Sequence, residues 1–226
     1  MATVNLSNFS ADQLVYGAAK LNRRGGITVP LGIKTAKGTE PILVQTPKLR
    51  APFGVSCFDE TAEDARYTIS VSLDDFEPNG NAHEFYEFLK AFDESNVETA
   101  RSHSADWFKG KQHSKDLLQE LYKPMCIPPK PGSEYAPMFR GKLRSFKNDI
   151  KTLCFDENKE LVDLREAVAA GTDVRMLVEI VSLWFMSNNF GALCVIHQVL
   201  ASPRNQFDEF AFDDETNDMD VTTCVL

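Results

Sequence analysis

The sequence predicts a β-rich α+β fold: a Greek-key barrel of the OB type with one long inserted helix and a disordered acidic C-terminal tail. Three observations carry this reading. Residues 66–73 (RYTISVSL) alternate apolar and polar side chains, as a half-buried strand does. Residues 82–107 switch to a helical period. Residues 174–186 and 190–200 are apolar runs separated by Ser187-Asn188-Asn189, the pattern of a β-hairpin.

At 226 residues the chain can bury one good core. We read residues 1–204 as a single domain and 205–226 as the tail. Residues 1–26 are polar, with a short helix expected over Ala11–Leu21 and a basic turn at Arg23-Arg24-Gly25-Gly26. Ile27–Ile33 and Pro41–Val44 are short strands joined through Lys37-Gly38-Thr39. Pro47 and Pro52 keep residues 45–53 extended, at an edge or in a loop. In 66–73, Tyr67, Ile69, Val71 and Leu73 share one face and Thr68, Ser70 and Ser72 the other. In 82–107, Phe85, Phe88, Leu89, Phe92 and Val97 form an apolar stripe opposite an acidic face. Ser114 caps a second, shorter helix that runs to Tyr122. Residues 123–137 hold five prolines and one glycine and form a loop long enough to be functional. Residues 138–145 and 150–155 are the next strands, with a turn at 156–159. Residues 162–169 are ambiguous, and Gly171 marks a break.

Catalytic signatures are absent. No phosphate-binding glycine loop, dinucleotide fingerprint, metalloprotease helix or nucleophile elbow occurs. Asp74-Asp75 lacks a third acidic partner. The four histidines stand alone, and the five cysteines are scattered without a C-x-x-C pair, which argues against zinc and against a disulfide framework. The expectation is a non-enzyme without cofactor or metal. The longest apolar run, 174–186, is broken by Arg175, Glu179 and Ser182, so no membrane helix is expected. The first residues lack the charged start and apolar block of a secretory signal. Cys224 stands third from the end, one place off the position that prenylation needs.

The net charge of −9 conceals segregation. Residues 1–58 carry +5, 59–108 carry −10, 109–151 carry +6, 152–204 carry −3 and 205–226 carry −7. Two basic blocks in an acidic protein can fold into one positive face that attracts phosphate, whatever the total charge.

The order of elements resembles the single-stranded DNA-binding protein family of the short-tailed coliphages and its relatives in large DNA viruses of algae and protists. The likeness covers nearly the whole chain. YTISVSL is followed by a long helix, a proline- and lysine-rich loop, the aromatic-basic strand MFRGKLRSF, a D-E-N-K turn, a hairpin whose first arm ends in SLWFMSNN, and an acidic tail. TPKLRAPFGVS also looks like the large-virus members. The resemblance implies an OB barrel capped by a helix, a homodimer, and a tail that competes with DNA and docks replication partners such as a viral polymerase or helicase. One departure is that the acidic run stops at Asp220, leaving Val221–Leu226 neutral.

Sequence-tolerant single-strand binding needs cations along the phosphates and aromatic faces for the bases. The expected nucleic-acid residues are Arg23, Arg24, Lys48, Arg50, Lys109, Lys111, Phe139, Arg140, Lys142, Arg144, Lys147, Trp184 and Phe185, with Phe146 interleaved. Lys142, Arg144, Trp184 and Phe185 are also the positions that match the family. Period two places Trp184 with Val178 and Ile180, toward the core, and turns Phe185 outward to the groove. The partner-binding tail comprises Asp208, Glu209, Phe210, Phe212, Asp213, Asp214, Glu215, Asp218 and Asp220. The function expected is non-catalytic, sequence-independent binding of single-stranded DNA in viral replication and recombination. The expected location is the host nucleus or a cytoplasmic replication factory, neither secreted nor at a membrane. The alternative is a viral structural or protein-interaction β-scaffold that binds no nucleic acid.

Overall fold

The computed structural model describes residues 3–22, 25–62, 65–186 and 189–202. Arg23, Arg24 and every tail residue named above lie outside the described residues. The protein is β-rich with a few helices. The main strands are β1 (Ile27–Thr35), β2 (Ile42–Gln45), β3 (Leu49–Ala51), β4 (Val55–Cys57), β5 (Tyr67–Ser72), β6 (Met138–Leu143), β7 (Leu153–Phe155), β8 (Thr172–Met186) and β9 (Asn189–Ser202). The helices used below are α1 (His83–Ser102), α2 (Ser104–Trp107) and α3 (Lys115–Leu121).

The β8–β9 hairpin is the axle of the fold. One edge of β8 pairs antiparallel with β1, β2 and β3 in succession, so residues 27–51 run back along its whole length. The free edge of β9 pairs in parallel with Tyr122–Lys123, β6 and β7. Beyond β6 the sheet continues antiparallel through β5 to β4. Inward residues from both flanks, Leu49 on β3 and Ile69 on β5, join one core cluster, so the sheet curves around a single interior. Helix α1 supplies Phe85, Phe88, Leu89 and Phe92 to it, at the i, i+3, i+4, i+7 spacing of one helix face. Phe85 meets Phe139 of β6 edge to face at 5.3 Å. The opposite side of α1 exposes Glu84, Glu87 and Glu94.

The main sheet has fifteen strands among the described residues, against the five or so read from pattern. Most of the extra strands are two or three residues long, too short for alternation to register. The helix expected over Ala11–Leu21 does not form. That stretch is a 3-10 turn (Ala11–Gln13) followed by Leu14–Tyr16 and Lys20–Leu21, both paired with β1. An isolated helix of that length is marginal, whereas the open edge of β1 offers ladder hydrogen bonds. Asp75, half of the carboxylate pair, accepts from the amide of Asn81 and from that of Ala82 through its own carbonyl, so it folds the loop that leads into α1.

One carboxylate is built into the interior. Asp93 of α1 accepts from the Tyr122 hydroxyl at 2.6 Å and from the Met125 amide at 2.9 Å. Asn96 donates to Tyr122 at 2.9 Å and accepts from Tyr16 at 3.0 Å. This network clamps the start of the proline-rich segment to α1. Burial outweighs these hydrogen bonds and raises the Asp93 carboxyl to about 6. A carboxyl raised on folding stabilises the fold below its unfolded pKa and loses that contribution as pH rises through the folded value. The shift corresponds to about 3 kcal/mol. Melting wild type and Asp93→Asn from pH 7 down to pH 5 should show wild type gaining relative to the variant. A constant difference would show that Asp93 does not titrate in this window.

Candidate nucleic-acid interface

Strand β6 alternates strictly. Phe139, Gly141 and Leu143 turn inward, while Arg140, Lys142 and Arg144 line the outward face, about 6.6 Å apart along the strand. Gly141 is required here, because a Cβ would lie 2.6 Å from the Ile196 side chain. The register sets Arg140 against Ser70 and Lys142 against Thr68 of β5, so a row of hydroxyls flanks the cations. Ser70 accepts from Arg140 Nε at 2.9 Å. The amide of Arg144 donates to Thr152 Oγ1 at 2.8 Å, and Thr152 donates to the Ile196 carbonyl at 2.8 Å, which fixes the end of the row. None of the three forms an ion pair among the described residues. The nearest carboxylate by register is Glu179, two strands away in the row of Lys142 and Val195. It is engaged by His197 Nε2 at 2.6 Å.

Beyond Arg144 the chain makes a small hairpin, Ser145–Phe146 against Asp149–Ile150. Lys147 and Asn148 turn it with φ of 47° and 63°, the left-handed pair such two-residue turns need. Its geometry leaves the Phe146 ring 65% exposed with the Lys147 ammonium 5.6 Å from the ring centre. An exposed ring beside cations can stack a base and hold its phosphate at once.

Toward the closed end of the long hairpin, register aligns Lys20, Thr28, Trp184, Gly191 and Lys123 in one row across four strand pairs. Trp184 faces outward and is half-buried. A Cβ on Gly191 would lie 2.8 Å from the Lys123 carbonyl and 3.2 Å from the Trp184 ring, so the glycine lets the Lys123 backbone pair closely here and leaves room for the indole.

Two expectations are corrected. Phe185, read as the groove residue, is only 6% exposed and stacks on Phe190 with centroids 5.2 Å apart. Trp184, read as turned toward the core, faces out. The cause is a β-bulge: Val181 has no partner between the pairs Ile180–Cys194 and Ser182–Leu193. One extra residue inverts the alternation from that point on, so Leu183 and Phe185 point inward where period two places Trp184. Phe139, also expected in the groove, is instead a core residue, 1% exposed and packed on α1.

The other expected cations fall in two further places. Lys109 and Lys111 are exposed on the loop after α2, near the closed end of the hairpin, where Lys109 Nζ donates to the Gly25 carbonyl at 3.1 Å. Lys48 and Arg50 lie at the open end. Lys48 is 4.0 Å from Glu157, and Arg50 is registered against Asp173. The structure therefore unites Arg140, Lys142 and Arg144 with Lys147 and Phe146, leaves Lys48 and Arg50 apart, and adds Lys20 and Lys123 to the candidate surface. The alternation of MFRGKLR was the available signal for the triad. No pattern in the sequence announces Lys20 or Lys123, which are placed by pairings far apart in the chain.

This is a β-rich protein that carries a row of outward cations on one face of its sheet. The chain belongs to the DUF5871 family, a family of unknown function, whose model matches residues 81–215. The single-stranded DNA-binding protein of bacteriophage Enc34 is similar at 14% identity and a TM-score of 0.46, over 88% of this chain and 96% of that one. The same phage protein in complex with single-stranded DNA is similar at 13% identity and a TM-score of 0.45, over 84% and 96%. The protein gp2.5 of bacteriophage T7, also a single-stranded DNA-binding protein, is similar at 9% identity and a TM-score of 0.45, over 76% and 98%. No curated protein sequence matches the chain.

Proposed function

We propose that this chain is a non-catalytic, sequence-independent single-stranded DNA-binding protein acting in viral DNA replication and recombination. The observation that supports it best is the outward row Arg140, Lys142 and Arg144, free of ion pairs among the described residues and continued by an exposed Phe146 under Lys147. Such a row suits a flexible phosphate backbone, and sequence-tolerant stacking on Phe146 and Trp184 suits unpaired bases. In this reading the molecule works as a homodimer, and the tail, with seven carboxylates and no basic group over residues 205–226, is an internal competitor for the basic face. Tethering gives it an effective concentration of the order of millimolar. DNA displaces it and frees it to meet a viral polymerase or helicase.

The test is a titration of labelled single-stranded oligonucleotides of different sequence across a salt series. If about four to six phosphates are neutralised, log K should fall against log salt with a slope of roughly −3 to −4, alike for all sequences. A chain ending at residue 204 should bind more tightly at low salt, with the gain fading as the Debye length shortens to about 8 Å near physiological ionic strength. A flat salt response would refute the electrostatic reading. A truncated chain that binds no tighter at low salt would show that the tail does not occupy the face.

A further inference from the structure

Behind the closed end of the hairpin lies a cavity of about 330 Å³, walled by Trp107, Phe108, Phe185 and His113 and rimmed by Lys109 and Lys111. Its size falls at the small end of the range for ligand pockets, about 300–1,000 Å³. Trp107 and Phe185 form the floor, 3% and 6% exposed, with ring centres 5.5 Å apart. Phe108 stands edge-on to Phe185 at 5.2 Å and to His113 at 4.8 Å.

The rim is a rigid piece of backbone. Lys109 and Gly110 have φ of 56° and 85°, two left-handed residues in succession. A lysine there is strained and persists only where its surroundings hold it. Here they do: the Gly110 amide donates to the Ala105 carbonyl at 2.7 Å, and Ser104, 1% exposed, donates to the Lys111 carbonyl at 3.1 Å and accepts from the His113 amide at 3.0 Å. Neither lysine forms an ion pair among the described residues. The cavity also adjoins the outward face directly. Phe185 is registered with Ile27 on the inner side, and the next pair, Trp184 with Thr28, lies on the outer side. Phe185 and Trp184 are consecutive, so the inner cavity and the outer row lie at the same end of the hairpin.

We propose that this cavity is a nucleotide pocket, taking one unstacked base of the bound strand while its phosphate lies between Lys109 and Lys111. The proposal rests on the single-strand reading above. An aromatic chamber with two cations on its lip has the chemistry of a base with its phosphate, and it would hold one nucleotide in a fixed place on an otherwise sequence-tolerant track.

The chain contains two tryptophans, Trp184 on the outward face and Trp107 on the pocket floor, which makes the test direct. In Trp184→Phe the sole emitter is Trp107 on the pocket floor. Binding of oligothymidylate is followed by polarisation of a labelled strand, and Trp107 emission is read at saturation. The expected result is a drop in Trp107 emission of about half, with no drop for an abasic strand of the same length. Adding Lys109→Gly, which retains the left-handed backbone, together with Lys111→Ala should weaken binding about tenfold at low salt and abolish the emission change. A strand that binds with Trp107 emission unchanged overturns the pocket and leaves the single-strand reading standing. An abasic strand that quenches Trp107 equally also overturns it. A protein that binds no strand at any salt refutes both.

Discussion

Replacing Arg140, Lys142 and Arg144 together by alanine should remove most of the salt dependence of binding. Each lost phosphate contact makes the log–log slope shallower by about 0.7, so three flatten it by about 2. If both proteins converge near 1 M salt, the variant should bind a few hundredfold more weakly at about 50 mM and only a few-fold more weakly at 0.5 M. The loss should be the same for every sequence, because phosphate contacts carry no sequence information. The fold should hold: all three side chains point outward, and the inward Phe139, Gly141 and Leu143 are untouched. A variant with the wild-type slope would place the DNA on another face.

The second large effect separates neighbouring aromatics. Phe185→Ala should destabilise the protein by about 3–5 kcal/mol, because it empties a ring-sized space among Phe190, Phe108 and Trp107. That is a large share of the 5–15 kcal/mol typical of a domain. Trp184→Ala should melt close to wild type and instead weaken oligonucleotide binding by about 1–3 kcal/mol, the contribution of one stacked base. Thermal melting and oligonucleotide titration of both variants decide it. A stable Phe185→Ala with a melted Trp184→Ala would mean that the inverted phase after Val181 is wrong.

That inversion marks where the sequence stops being readable. Strands with clean alternation, 66–73 and 138–144, could be assigned face by face, and the helix stripe from Phe85 to Phe92 could be matched to a buried side. In each, one local period decides every side chain. The long hairpin was legible as a hairpin, but not its facing beyond residue 180. A bulge adds a residue without leaving any compositional trace, and β8 and β9 each carry one, at Val181 and His197. Phe139 was misjudged for a different reason. Its basic neighbours suggested an exposed strand, but on a pleated strand the residues between outward cations point the other way. Lys20 and Lys123 reach the Trp184 row only through pairings with distant segments, which no local pattern encodes.

The core separates two faces of opposite sign: Arg140, Lys142 and Arg144 on the outside of the sheet, and Glu84, Glu87 and Glu94 on the far side of α1. The molecule is therefore an electrical dipole, and a polyanion exerts a torque on it before contact. It should arrive already turned sheet-first, so that fewer encounters are wasted. Under the proposed function the same polarity would act again once many copies had settled. Each would turn its helix outward, so a coated strand would present a negative skin, and neighbouring coated strands would repel one another rather than being bridged.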